Sequence, residues 1–262
     1  MSIRGGVARA RGWKKECLRG AIAIVAAVVL AASFPGLLAA QNEGKLDATN
    51  KSSVTIIGII GAGHVGSQIA RLAVASGYNV VVSNSRGPET LSALVAELGP
   101  RARAATAIDA ARAGDIVVVS IPLKNYQAVP AGPLAGKIVI DTCNYVPARD
   151  GHIPELDNGS TTTSELVQAH LAKSKVVKAF NHIQAAQLTT DRQPTGSPNR
   201  RALPIAGDDR EAKVVVAHVI DQFGYDTVDA GPLKEGWRFQ LGMPEYGRTA
   251  PELRQGLAAA KR

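Results

Sequence analysis

Two stretches of the chain hold residue types at spacings suited to a phosphate-rich ligand. The first, Gly61-x-Gly63-x-x-Gly66, follows the apolar run 54–60 and opens a segment in which Val65, Ile69, Leu72 and Ala73 recur at helical spacing. Gly77 ends that helix, and the run 78–82 is again strand-like. In such a unit Gly61 makes the tight turn, Gly63 lets the backbone approach a pyrophosphate, and Gly66 lets helix and strand pack closely. The unpaired N–H groups and the positive dipole end of the helix then hold the anion. His64, inside the loop, points at the pyrophosphate or at solvent. The plain alternative is a glycine-rich turn in another α/β protein.

The second stretch is Ser83-Asn84-Ser85-Arg86, at the end of the next strand. An NAD site carries Asp or Glu about 20 residues beyond the glycines, where it binds the ribose 2′-hydroxyl. None stands here. Two hydroxyls, an amide and a guanidinium are instead what a 2′-phosphate requires. NADP(H) is therefore the expected dinucleotide, against a solvated turn carrying a surface arginine.

Hydride transfer from a dihydronicotinamide is mostly a matter of positioning in a dry pocket. No general acid is obligatory if the acceptor is itself a flavin-like ring, and the sequence offers no lysine–histidine or tyrosine–lysine pair. The candidates are the strand ends Ser120-Ile121-Pro122, Thr142-Cys143-Asn144 and Asn181-His182. His182, beside Asn181, is the candidate acceptor contact or proton donor, with a backbone-satisfied histidine as the competing reading. Cys143 is a redox thiol or, more ordinarily, a small core residue. His152, His170 and His218 show no metal-ligand spacing, and no metal site is expected.

The elements that must position these residues alternate in type. Strands are expected at 115–121, 137–141 and 175–180, with helices at 88–98 and 106–113 and another opened by Thr162 and Glu165 as a capping box. A further strand–helix–strand unit follows at 203–206, 208–223 and 225–229. The polar break 187–201 reads as a mobile surface loop. The pattern implies an α/β fold: a doubly wound, mostly parallel sheet of the NAD(P)-binding Rossmann type, with ligands at the carboxyl ends of its strands. A short C-terminal extension, 236–262, reads as a lid or pocket wall in which Trp237, Phe239 and Tyr246 close the cleft, or equally as a segment that merely covers the sheet edge, and 248–262 as a polar helix or a disordered end.

At 262 residues with a formal charge of +8, the chain first suggests a nucleic-acid binder. Six basic residues against Glu16 place +5 of that charge within residues 1–20, and no basic stripe with interleaved aromatics follows, so no nucleic-acid partner is expected. Residues 1–19 form a basic n-region, 20–40 an apolar signal peptide or uncleaved anchor, and 41–53 a linker to an NADP-binding domain at 54–235. Export, to the periplasm or beyond, or anchoring through 20–40, is the expected location, with the cytoplasm as the alternative. The expected partner is a small-molecule hydride acceptor; membrane contact is limited to 20–40, and a homodimer is left open.

The order Ile-Ile-Gly-Ala-Gly-x-x-Gly, Ser-Asn-Ser-Arg-Gly-Pro, Ser-Ile-Pro, Asp-Thr-Cys-Asn and Lys-Ala-Phe-Asn resembles the NADPH-dependent coenzyme F-420 reductases, the deazaflavin:NADP oxidoreductases, over about residues 54–235. The resemblance implies that Ser83, Asn84, Ser85 and Arg86 bind the 2′-phosphate and that Gly61, Gly63, His64 and Val65 line the pyrophosphate. It implies Ser120, Ile121, Pro122 and Asn144 beside the nicotinamide ribose, and Phe180 and Asn181 near the ring or acceptor. The implied activity is hydride transfer between NADP(H) and a planar redox ring such as deazaflavin coenzyme F-420. The ending around Gly236-Trp237-Arg238-Phe239 does not match the family's deazaflavin-binding segments. Competing readings are an imine or ketone reductase resembling pyrroline-5-carboxylate reductase, and a non-catalytic NADP-binding redox sensor.

Overall fold

The computed structural model describes residues 54–244 and 246–262. The expectations for the basic, apolar and linker segments of residues 1–53 lie outside the described residues. Among those described, no helix is long and apolar enough to cross a membrane.

The β-branched runs form the strands and the amphipathic runs the helices. In chain order come β1 (Ile56–Ile60), α1 (His64–Ala75), β2 (Asn79–Ser83), α2 (Ser92–Leu98), β3 (Ala102–Ala104), α3 (Ala107–Ala113) and β4 (Ile116–Val119). After the short α4 (Ala131–Leu134) and β5 (Ile138–Asp141) come two single turns, α5 (Pro147–Asp150) and α6 (Pro154–Asp157), then α7 (Thr163–His170) and β6 (Lys175–Lys178). The chain ends with α8 (Gln187–Thr190), β7 (Ala202–Gly207), α9 (Arg210–Phe223), β8 (Asp226–Asp229) and α10 (Ala250–Ala259).

The sheet order is β3-β2-β1-β4-β5-β6-β7-β8. All pairs are parallel except β6 with β7. The alternation of side chains along each strand divides the core in two. Ile116 and Val118 of β4 pack with α1 and α9, whereas Val117 and Val119 pack with Ala111 of α3 and Val167 of α7. Because β1, β2, β4, β5 and β6 run parallel, their carboxyl ends share one edge, as the doubly wound reading requires.

Two expectations change. β3 was not anticipated, because Ala102-Arg103-Ala104 has too few apolar residues to read as a strand; its pairing with Val80–Val82 defines it. The break at 187–201 is tied down: Arg200, buried, binds Asp221 at 2.6 Å and Asp226 at 2.9 Å. Of the two readings for the C-terminal extension, the sheet-covering one matches the packing, with Phe239, Leu253 and Leu257 against Ala202, Ala206 and Val228 of β7 and β8. Of the two readings for 248–262, the helix is the one formed.

Candidate active site

The turn after β1 is built around close backbone approach. Gly61 has φ of 104°, and a Cβ there would lie 2.1 Å from the Ser120 carbonyl oxygen. A Cβ on Gly66 would meet the Gly61 carbonyl oxygen at 2.0 Å. Over Gly63, by contrast, a Cβ would meet nothing within 4 Å. The N-terminus of α1 has no side-chain cap and no acidic residue in its first turn. Its orphan N–H groups therefore face open space beside exposed Gly63 and His64, with half-buried Val65 behind. The residues present fit a pyrophosphate lying over Gly63.

Ser83 differs from the rest of its segment. It is fully buried; its hydroxyl donates to the Ile59 carbonyl at 2.9 Å, and its own carbonyl accepts the N–H groups of Gly61 and Ala62, each at 2.9 Å. Ser83 thus fastens the glycine turn to β2 and is turned away from solvent. Asn84 folds the next residues: its Oδ1 accepts from Arg86 N at 2.9 Å, and its Nδ2 donates to Thr90 at 2.9 Å. Ser85 and Arg86 are left exposed, and among the described residues no carboxylate pairs with the Arg86 guanidinium.

Farther along the edge, half-buried Ser120, Ile121 and Pro122 follow β4. Asn144, after β5, and Asn181, after β6, hold each other. Asn144 Nδ2 donates to the Asn181 carbonyl at 2.9 Å, and Asn181 Nδ2 donates to Asn144 Oδ1 at 3.2 Å and to the Phe239 carbonyl at 2.8 Å. Asn181 Oδ1 is buried without a hydrogen-bond partner. A buried orphan acceptor is costly, and an incoming amide N–H, such as a carboxamide carries, would satisfy it. His182 Nδ1 lies 3.1 Å from the same Phe239 carbonyl, which can only accept, so the proton is on Nδ1. The imidazole stacks on Tyr246, with centroids 5.7 Å apart.

Two expectations shift here. Phe180 is buried in the core, 6.1 Å from Phe223 by ring centroids, so its ring does not face the cleft. What it contributes is a backbone at φ 61°, which turns the chain from β6 into Asn181. The C-terminal segment does reach the cleft, but through the Phe239 carbonyl and the Tyr246 ring. Trp237 instead lies under Arg238, 4.7 Å from its ring centroid, and near Arg262.

Sequence reasoning missed the buried polar cluster beneath Asn144. Lys178, with no exposed surface, donates to Thr163 Oγ1 at 2.8 Å, to the Cys143 carbonyl at 3.1 Å and to Ser164 at 3.3 Å, with Asp141 at 4.0 Å. Ser164 in turn donates to Asp141 at 2.6 Å, which also accepts Cys143 N at 2.9 Å. Burial pushes the Lys178 ammonium down, with Asp141 opposing the shift. A signal was present: the apolar runs of β5 and β6 end in opposite charges, Asp141 and Lys178, which are register partners. Cys143 is a core residue. Burial, then the Asp141 charge, pushes its thiol well above the ordinary value, which leaves it a poor thiolate.

The family described as NADP oxidoreductase, coenzyme F-420-dependent, matches residues 56–145. A hypothetical protein of Sinorhizobium meliloti is 31% identical, with a TM-score of 0.64, over 76% of this chain and 96% of its own. A protein of Arthrobacter sp. FB24, described as a candidate F-420-dependent NADP-reductase, is 25% identical with a TM-score of 0.60, over 70% of this chain and 87% of its own. The protein YjhV of Escherichia coli (strain K12) is 38% identical over 56 residues, so the match spans 41% of that curated relative and 21% of this chain. From the glycine turn, the α/β topology and these matches, the chain belongs to the family of coenzyme F-420-dependent NADP oxidoreductases.

Proposed function

We propose that the protein binds NADP(H) across the carboxyl ends of its strands and transfers a hydride between it and a planar redox ring, deazaflavin coenzyme F-420 being the acceptor the family description suggests. The observation that carries this is the open N-terminus of α1 over Gly63, flanked by exposed Ser85 and Arg86 where an NAD site would hold a carboxylate. The backbone of 63–66 would hold the pyrophosphate, and Asn84, Ser85 and Arg86 the 2′-phosphate, with Ser83 fixing the turn from beneath. Ser120, Ile121, Pro122 and Asn144 would flank the nicotinamide end. Asn181 offers its unpaired Oδ1 there, and His182, oriented by Phe239 and Tyr246, would contact the acceptor. When bound, the dinucleotide supplies the two-electron hydride chemistry. The chain's own task is to orient both rings and exclude water.

The test is NADPH oxidation by the purified protein with deazaflavin, flavins, quinones and cyclic imines offered in parallel. Turnover with ring acceptors and none with imines is the expected result. Turnover with imines alone would replace this reading with the imine-reductase one, and NADPH binding without turnover by any acceptor would leave a redox-sensing module.

A further inference from the structure

Beyond His182 the edge continues into a polar cavity of about 170 Å³, walled by His182, Tyr246, Gln187, Arg201 and Arg248. Topology puts it there. β7 runs antiparallel to β6, so Arg201, just ahead of β7, stands at the edge where β6 delivers Asn181 and His182. Both arginines sit on paired backbone: Arg201 bridges Thr249, and Ala202 N donates to the Arg248 carbonyl at 2.7 Å.

The two guanidiniums share one carboxylate. Arg201 Nη1 binds Asp191 at 2.5 Å and Gln187 at 3.0 Å, and Arg248 Nη2 binds the same Asp191 oxygen. The neighbouring Glu252 carboxylate, beside Gly247, is taken up by its own helix cap, accepting from Thr249 N at 2.9 Å and from Thr249 Oγ1 at 2.8 Å, so Asp191 is the carboxylate that the two guanidiniums share. Among the described residues, Nε and Nη2 of Arg201 make no hydrogen bond although the side chain is only 12% exposed, so part of its donor fork remains available. Such forks suit oxyanions.

We propose that this cavity is a subsite for an anionic substituent, a phosphate or carboxylate group, carried by the planar acceptor; the assignment rests on the hydride-transfer reading above. At about 170 Å³ it is smaller than the roughly 300 Å³ at which drug-sized pockets begin, so it takes a substituent and leaves the ring to the cleft beside Asn181. It is not the cofactor's 2′-phosphate site, because Arg86 follows β2, five strand positions from β7, roughly 24 Å at about 4.8 Å per strand.

The test titrates FMN and riboflavin, the same ring with and without a phosphate, against the full chain saturated with NADP⁺, read by quenching of flavin fluorescence. FMN should bind about tenfold tighter or better, the size expected of a charge-assisted hydrogen bond. Added salt should narrow the difference. Arg248→Ala, at a side chain 60% exposed, should abolish most of the preference while leaving NADP⁺ affinity and the circular dichroism spectrum unchanged. Arg201→Lys, which keeps the charge and loses the fork, should abolish part. Equal binding of the two flavins, binding of neither, or a preference that survives both substitutions overturns the subsite. Equal NADPH oxidation with both flavins would do so while leaving the hydride-transfer reading standing. An arginine-dependent FMN preference without NADPH oxidation by any ring acceptor would instead remove that reading.

Discussion

In the proposed reading, Arg86 is the single side chain that should bear most of the cofactor choice. A hydrogen bond to a charged group contributes about 1.5–3 kcal/mol, and each 1.4 kcal/mol is about tenfold in affinity. Arg86→Ala should therefore weaken NADPH binding by roughly ten- to a hundredfold and leave NADH, which lacks the phosphate, nearly unchanged. Parallel titrations of both nucleotides decide it; a wild type that holds NADH as tightly as NADPH would refute the assignment. Ser83 teaches the opposite lesson at this scale. Its type matched a phosphate ligand as well as Ser85 did, yet only Ser85 is exposed, because β2 continues through Ser83 and that strand is covered on both faces, whereas Ser85 lies in the turn beyond it. His182→Ala should slow hydride transfer several-fold with NADPH affinity within about twofold, since the imidazole is held by Phe239 and Tyr246 on what the proposal takes as the acceptor side. Stopped-flow reduction alongside equilibrium binding separates the two, and equal losses in both would move His182 into the cofactor site.

At the scale of elements, α7 links its own cap to the floor of the cleft. Thr162 caps it: Glu165 N donates to the Thr162 hydroxyl at 3.3 Å, Thr162 N donates to Glu165 at 2.8 Å, and the hydroxyl donates to the Leu233 carbonyl at 3.3 Å. The next two residues, Thr163 and Ser164, receive Lys178. This capping box was legible from Thr162 and Glu165 three residues apart, since the motif is local. Its buried consequence was not, because Lys178 and Asp141 meet only through the pairing of β5 with β6. Thr162→Ala should cost about 1–2 kcal/mol and lower the melting temperature by roughly 2–4 °C for each kcal/mol in a domain of this size. Differential scanning calorimetry measures it. No change would mean that Leu233 and the α7 backbone are satisfied without the hydroxyl.

Across the whole molecule, carboxylates tie the late elements to the sheet. The Ala212 N–H, and then Lys175, hold the Asp209 carboxyl below the usual carboxylate value; the Arg200 guanidinium does the same first of all for Asp221. A carboxyl depressed in the folded state contributes stability above its unfolded pKa and loses it as pH falls through the folded value. Thermal stability should therefore hold above about pH 5 and decline as pH drops through and below about 4. Asp221→Asn should flatten part of that decline. Unfolding scans from neutral to acid pH check this, and stability that rises on acidification would contradict it. The same ion pairs account for the ordering of 187–201, whose polar composition reads as a surface loop when its partners in α9 and β8 are out of view.

What the sequence alone determined is everything written in local period and local chemistry. The alternation of buried runs with amphipathic helices, the glycine turn and the missing acidic residue after β2 each depend on neighbours within a few residues, so composition and spacing reveal them. What only the tertiary structure decided is which of those side chains meet. The inward turn of Ser83, the burial of Phe180, the hold of Phe239 on Asn181 and His182, and the approach of Arg201 to Arg248 all depend on strand order and on the one antiparallel pairing, β6 with β7. These contacts join residues from about 20 to more than 50 positions apart, across a sheet whose closure depends on long-range packing. No local pattern carries that information, because each segment's own preference is satisfied equally well wherever its apolar face is covered.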